Sequence, residues 1–260
     1  MTSPDPIHLL TPDWPCPANV RAVISTRLGG CSQGKYRGAN LGDHVGDDPV
    51  AVAANRALLA HHVGIQLWPW MTQVHGTELL EIGTTVTCGQ VADGAHSRTA
   101  GSACAVLTAD CLPVLLCDRH GTQVAAVHAG WRGLAAGILE RAVKCFDAPG
   151  GDVLAYLGPA IGPAHFEVGM DVYQAYRALF SRLDYHGDWN NCFRPCPGRA
   201  QHFLADLYGL ARLTLACAGV HQVYGGQYCT YGDGDRFYSY RRDGVTGRMV
   251  SAIWLTADGD

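Results

Sequence analysis

One segment constrains this chain more than any other: residues 108–133, TADCLPVLLCDRHGTQVAAVHAGWRG. Within it, runs 112–117 and 123–128 are apolar at both side-chain parities. A strand with one wet face alternates polar and apolar residues, so a strand apolar at both parities must be covered on both faces. The sheet that holds these runs therefore lies inside the molecule with a layer on either side. At 260 residues the chain is long enough to supply those layers around a sizeable core.

Between the runs, Asp118-Arg119-His120-Gly121 reads as a turn, which makes the pair a hairpin. Two loops suit the cluster, two residues at 119–120 or four at 118–121. Both set Cys111 opposite His128 on one sheet face, with Cβ atoms about 4.5–5.5 Å apart. A thiol and an imidazole at that separation have three uses. The imidazole lowers the thiol pKa and makes a nucleophile; both bind a metal; or they simply pack as a buried Cys beside a structural His. Asp110 precedes Cys111 in apolar surroundings, where a carboxylate needs a partner. After His128 comes Ala129-Gly130-Trp131-Arg132-Gly133 and then a helical pattern. Free N–H groups at such a helix start favour an anion, and Arg132 adds charge, unless the glycines only serve a tight turn.

Catalytic zinc takes three protein ligands and an open position, so a metal reading needs a third ligand. The chain has twelve histidines, and spacing alone does not choose among them. His75, in Gln73-Val74-His75-Gly76, ends a strand-like run at 71–75 before a glycine turn. His61-His62 falls on a helix and His120 in the turn.

The flanks supply alternating elements. Residues 19–26 alternate and read as a strand, and residues 29–46, with six glycines, read as loop. Asp48-Pro49 reads as an N-cap followed by Pro at the first helical position, the helix running to Val63 and stopping at Gly64. Runs 79–82, 103–109, 153–157 and 249–255 read as strands, and 134–146, 170–180 and 203–218 as helices. Strands clustered between helices give an α+β layered fold, and no repeat or linker divides residues 1–260.

Composition narrows the function. With 19 Lys+Arg against 23 Asp+Glu the net charge is −4, and the only lysines are Lys35 and Lys144. That balance argues against nucleic acid and against an anionic membrane. The best apolar run, 103–117, is broken by Asp110 and Pro113, and MTSPDPIHLL has no positive n-region. The expected compartment is the cytoplasm, where eleven cysteines are reduced thiols, and no C-x-x-C pair offers a zinc ribbon or a thioredoxin-type motif.

The strings TRLGG (26–30), NLGDHVGDD (40–48), QVHG (73–76), TADCLPV (108–114), HAGWRG (128–133), GPAIGPAHFEVG (158–169) and FYSYRRDGVTGR (237–248) occur in this order. Together they resemble the YfiH-type laccase-domain family, also called the multicopper polyphenol oxidoreductase or purine nucleoside phosphorylase family. One departure is Gly38-Ala39 before Asn40, where the family pattern has Ser-Leu. The resemblance implies an α/β/β/α-type sandwich with mixed sheets in a single domain. It also implies a metal site, usually zinc, formed by His75, Cys111 and His128, so it selects the Cys–His pair that the hairpin spacing selects.

The activities the family carries are phosphorolysis of adenosine, inosine, guanosine and methylthioadenosine, and deamination of adenosine. Purine nucleoside and phosphate are then the expected partners, of a monomer or weak homodimer. Arg27, Asn40, Arg132 and Arg241 are candidate ribose or phosphate contacts, Arg242 reads as surface pairing, and Glu167 is a candidate acid or base. Two other chemistries compete. A copper-dependent polyphenol oxidase uses similar ligands, but its trinuclear cluster draws on H-x-H pairs and this chain has none. A metal-free hydrolase or deamidase linked to peptidoglycan editing would use Cys111 as nucleophile and His128 as base.

Overall fold

The computed structural model describes residues 5–66, 68–85 and 87–257; residues 1–4 of the N-terminal string read for a leader lie outside the described residues. Strands β1 (Leu9–Leu10) and β2 (Val20–Ser25) precede helix α1 (Pro49–Val63). Then come β3 (Leu79–Glu81), β4 (Gly94–Ser97), β5 (Cys104–Thr108), β6 (Leu112–Asp118), β7 (Val124–Ala129), α2 (Trp131–Ala136) and α3 (Ile138–Lys144). The last part holds β8 (Val153–Leu157), β9 (Glu167–Gly169), α4 (Met170–Arg182), β10 (Phe193–Pro195), β11 (His202–Ala205), α5 (Leu207–Cys217), β12 (Gln222–Gly225), α6 (Tyr240–Asp243) and β13 (Met249–Leu255).

The strands form a mixed six-stranded sheet, β12-β8-β6-β7-β4-β3, a four-stranded sheet, β1-β2-β13-β5, and a small sheet, β10-β11-β9. Every residue of β6 and β7 is buried, as their double-parity pattern requires. Leu115, Cys117, Val124 and Ala126 point from one face into a core shared with Ile24, Val106 and Ile253 of the four-stranded sheet. Leu112, Val114, Leu116, Ala125 and Val127 point from the other face into a core with α3, α4 and α5, through Leu139, Tyr176 and Leu210. The outer face of the four-stranded sheet, with Ala105, Val250 and Trp254, is covered by α1 through Leu59. The result is the α/β/β/α layering that the resemblance implied, with mixed strand directions in the inner sheet.

Helix α1 begins and ends where its sequence signals stand. The Asp48 carboxylate accepts the Val50 N–H at 2.9 Å, Pro49 opens the helix, and Gly64 closes it at φ 72°. Three other expectations need correction. Residues 71–75 form no strand and make only the isolated bridge Thr72↔Val91, because the chain turns at His75. The helix expected over 134–146 is two helices, α2 and α3, since Gly137 at φ 104° ends the first and starts the second. The helix expected over 203–218 starts only at Leu207: Asp206 caps it by accepting from Gly209 N–H, and the residues before it pair with β9 as β11.

The hairpin register also differs from expectation. β6 and β7 pair Leu112 with Ala129, Pro113 with His128 and Cys117 with Val124, so His128 faces Pro113 and not Cys111. The cause is Asp118. Its carboxylate accepts Thr122 N–H at 2.8 Å, Thr122 Oγ1–H at 2.7 Å and Gln123 N–H at 2.9 Å, which closes the loop over 119–122 and draws Gln123 back into the ladder. A slip of two residues preserves side-chain parity, so Cys111 and His128 still share a face, now as diagonal neighbours. Pro113, which has no N–H, is tolerated in this central strand because its carbonyl still accepts Gly158 N–H at 2.9 Å, while Gly158 O, the acceptor its missing N–H would have served, takes the Tyr208 hydroxyl at 3.1 Å. Replacing Asp118 by Ala leaves these donors without a partner and should lower stability by about 2–3 kcal/mol, measured as a shift of the chemical denaturation midpoint.

Candidate metal centre

Three side chains from three places meet at the end of the central hairpin. His128 is on β7, Cys111 lies just before β6, and His75 is in the loop before β3. Their ligand atoms all lie within 4.8 Å of one another, and among the described residues no other group of three His, Cys, Asp or Glu side chains does so. Cys111 Sγ stands 3.8 Å from His75 Nε2, and the two imidazole rings are 4.8 Å apart at 72°. His128 is buried, Cys111 half-buried and His75 exposed, so the trio forms a cup closed below and open above.

The backbone is bent to make this cup. His75 sits at φ 61° and Asp110 at φ 91°, conformations that side-chain-bearing residues rarely adopt. Each is held by a carboxylate. Asp93, 0% exposed, accepts three backbone N–H groups, from Val74 at 3.2 Å, His75 at 2.8 Å and Gly76 at 2.6 Å. It also accepts His128 Nδ1–H at 2.8 Å. Asp110 accepts Thr230 Oγ1–H and Arg241 N–H, both at 2.6 Å, and its carbonyl accepts Ile161 N–H at 2.9 Å. The partner that the sequence required for Asp110 is therefore real, and it comes from Thr230 and from Arg241 on α6. Gly130 has a steric reason: a Cβ there would lie 2.9 Å from Cys111 Sγ and 3.1 Å from the His75 ring.

Electrostatics favour metal binding. Burial alone would push the Cys111 thiol up; the charge and hydrogen bond of His128 outweigh it, with help from His75, and bring it down to about 6. Burial alone would push His128 down; the Cys111 thiolate and the Asp93 carboxylate hold it up, at about 9. Asp93 itself is desolvated, yet the His128 and Gly76 hydrogen bonds keep its carboxyl below the ordinary value. Because Asp93 takes the Nδ1–H, the remaining ring nitrogen of His128 turns toward Cys111, and such a carboxylate–imidazole pair fixes a metal-binding tautomer. The donor set fits a catalytic zinc. Tetrahedral zinc places thiolate S and imidazole N about 3.5 Å apart, close to the 3.8 Å between Cys111 and His75. Copper accepts the same donors.

Of the other residues singled out from the sequence, Arg241 is tied to the cup through Asp110, and the rest make their contacts elsewhere. Arg241 bonds Asp110 through its backbone and Glu167 O through its guanidinium at 2.8 Å. Arg27 bonds Gly234 O at 3.0 Å and lies over the Tyr238 ring. Asn40 is fully buried, its amide bonding Gly42, Asp47 and the N–H of Arg248. Arg132 is exposed, over its neighbour Trp131 at 4.3 Å. Glu167 pairs with Arg199, and Arg242 laces carbonyls of Thr230, Tyr231 and Phe237.

Two residues that bear on the cup escaped the sequence reading. Asp93 lies in Val91-Ala92-Asp93-Gly94-Ala95, and the argument applied to Asp110, a carboxylate in apolar surroundings, would have found it. Arg248 ends the FYSYRRDGVTGR string; its half-buried guanidinium bonds Thr246 O and Gly247 O and feels the charges of Cys111 and Asp110.

Residues 21–256 match the family described as multi-copper polyphenol oxidoreductase laccase. A purine nucleoside phosphorylase of Pseudomonas aeruginosa is 49% identical over 248 residues, covering 95% of this chain and 98% of that protein. The purine nucleoside phosphorylase YfiH of Escherichia coli K12 is 47% identical over 252 residues, covering 95% and 98%. The crystal structure of a Neisseria meningitidis protein superposes with a TM-score of 0.86 at 47% identity, covering 96% of this chain and 99% of that one.

Two measurements check the centre. Between about pH 6 and 9 the Cys111–His128 pair holds one proton that a metal must displace. Zinc titrations at pH 7.5, in buffers of different ionisation enthalpy, should therefore show about one proton released per metal. Asp93→Asn should weaken zinc binding about 10- to 100-fold in competition with a chromogenic chelator.

Proposed function

Since the chain belongs to the multi-copper polyphenol oxidoreductase laccase family, we propose that it is a zinc-dependent purine nucleoside phosphorylase, with the metal held by His75, Cys111 and His128. The observation that carries this reading is the cup itself: two imidazoles and a thiolate, backed by Asp93 and open on the His75 side. The names of the relatives, purine nucleoside phosphorylases nearly identical in extent to this chain, supply the reaction. Zinc bound there would offer an open fourth position that polarises phosphate or water.

Phosphorolysis joins a phosphate oxygen to C1′ of the ribose and breaks the C1′–N9 bond. The electron pair stays on the purine, which takes up a proton. Positive charge builds on the ribose, and the phosphate must be held against it. Arg248, whose guanidinium feels the charges of Cys111 and Asp110, is proposed to hold that phosphate. Arg27, Asn40, Arg132 and Arg241 are proposed as surrounding ribose and phosphate contacts. Adenosine, inosine, guanosine and methylthioadenosine are the proposed substrates. Deamination of adenosine is the proposed second reaction: water adds at C6 and ammonia leaves. We assign the activity to the cytoplasm and to small molecules. The net charge of −4 carries no basic balance that would favour nucleic acid, and no helix among the described residues is long and apolar enough to cross a membrane.

Copper oxidase chemistry is disfavoured despite the family's description. The sequence has no H-x-H pair for a trinuclear cluster, and the described residues bring together one trio of metal-binding type. A metal-free cysteine hydrolase deserves a second reading because Asp93, His128 and Cys111 also have the order of a nucleophile triad.

One experiment separates these readings. Adenosine is incubated with the protein, with and without phosphate, and the products are resolved by chromatography. The expected result is phosphate-dependent adenine with some inosine, lost on chelation and reduced at least about 100-fold in Cys111→Ala. Activity that rises on chelation would favour the hydrolase; sustained oxygen consumption on copper loading would favour the oxidase.

A further inference from the structure

A second cysteine–histidine pair lies outside the cup. Cys229 Sγ stands 3.4 Å from His165 Nδ1. Two backbone donors also reach the sulfur, Gly162 N–H at 3.2 Å and Gly232 N–H at 3.3 Å. The His165 ring stacks on Tyr231, with 4.6 Å between centroids and 21° between planes, which orients the nitrogen that faces the sulfur. Glycine at 162 is a condition of this approach, since a Cβ there would lie 3.1 Å from Sγ. Cys229 is half-buried and His165 exposed, so small molecules in solution can reach the pair.

These surroundings differ from those of the packed thiols. Cys16, Cys31, Cys88, Cys104 and Cys145 each turn the sulfur to a main-chain carbonyl oxygen. Burial pushes the Cys104 thiol well up, which keeps it inert. Cys229 instead turns its sulfur to three nitrogens. With the proton of His165 on Nε2, Nδ1 accepts the thiol S–H, and the two glycine N–H groups face the charge left on sulfur when that proton leaves. Nucleophile, base and a neighbour that orients the base are then all present.

The pair also stands on the chain that clasps Asp110. Cys229 bridges Ala160, and Thr230 N–H donates to Ala160 O at 3.0 Å. Thr230 follows Cys229 and holds the Asp110 carboxylate; Ile161 precedes Gly162 and holds the Asp110 carbonyl. A substituent on Cys229 Sγ has to displace contacts that adjoin both of these clasps.

We propose that Cys229, with His165 as its base, is a thiol-exchange site for low-molecular-weight disulfides, and that the mixed disulfide formed there loosens the clasp on Asp110. In the exchange, the Cys229 proton passes to His165 Nδ1 and the Cys229 sulfur attacks one sulfur of the disulfide. A new S–S bond forms as the old one breaks, and the electron pair leaves with the other half, which takes the proton from His165 and departs as a free thiol. Cys229 is oxidised to the mixed disulfide and the departing half is reduced. The exchange stands independently of the metal reading above; its effect on the cup rests on that reading.

The test is incubation of zinc-treated protein with oxidised glutathione, each cysteine being followed separately by peptide mass spectrometry. The exposed Cys88 and Cys217 are internal references. Cys229 should be modified at least about tenfold faster than either, and His165→Leu should remove that advantage while the references keep their rates. Modification of Cys229 no faster than the references, or unchanged by His165→Leu, overturns the proposal. Zinc release under the same treatment, followed with a chromogenic chelator, should be faster in wild type than in Cys229→Ser. Equal release from both overturns the link to the cup. A protein that takes up no zinc overturns the metal reading, and the exchange rates still decide the site.

Discussion

Everything at the centre depends on one buried carboxylate. Asp93 is removed from water, and an isolated charge there would be strongly unfavourable. Four N–H donors from two separate parts of the chain satisfy it: three from the turn at 74–76 and one from His128. The same group therefore bends the backbone that presents His75 and fixes the ring that presents His128. Removing it would both misplace one imidazole and free the tautomer of the other. Asp110 does the corresponding work for Cys111, through Thr230 and Arg241.

The layers explain why so strained a site holds its shape. β6 and β7 are packed on both faces, between the four-stranded sheet and the helices. Such close-packed interiors resist small displacements. Cys111 and His128 emerge from the edge of that rigid hairpin, while His75 approaches on a loop that Asp93 ties back to it. Glycine at 130 is then a requirement of close approach, since any side chain would enter the space of the sulfur.

The sequence made some of this legible and hid the rest for physical reasons. Local signals were reliable where they act locally, as at Asp48, Pro49 and Gly64 around α1. The double-parity runs gave the buried hairpin, and parity alone gave the shared face of Cys111 and His128 even though the register was off by two residues. The register was hidden because Asp118 sets it with side-chain bonds that no periodicity encodes. His75 could not be chosen by spacing, since what brings it to the cup is the tertiary grip of Asp93. Gln73 illustrates the same limit: its side chain joins the Leu107 backbone across 34 residues and mimics a strand partner in a segment that is not one.

The Asp110 clasp also sets an order of assembly. All three side chains of the cup lie between residues 75 and 128, so a growing chain has made them well before residues 230 and 241. The groups that hold Asp110 lie 120 and 131 residues further on. Contacts of such long sequence separation form late, after the intervening chain has closed a large loop. A nascent chain thus has the sulfur and both imidazoles well before it can lock the sulfur in place. Until residues 230 and 241 arrive, the bend at Asp110 that presents Cys111 has no clasp, so the shape of the cup is set by the last part of the fold.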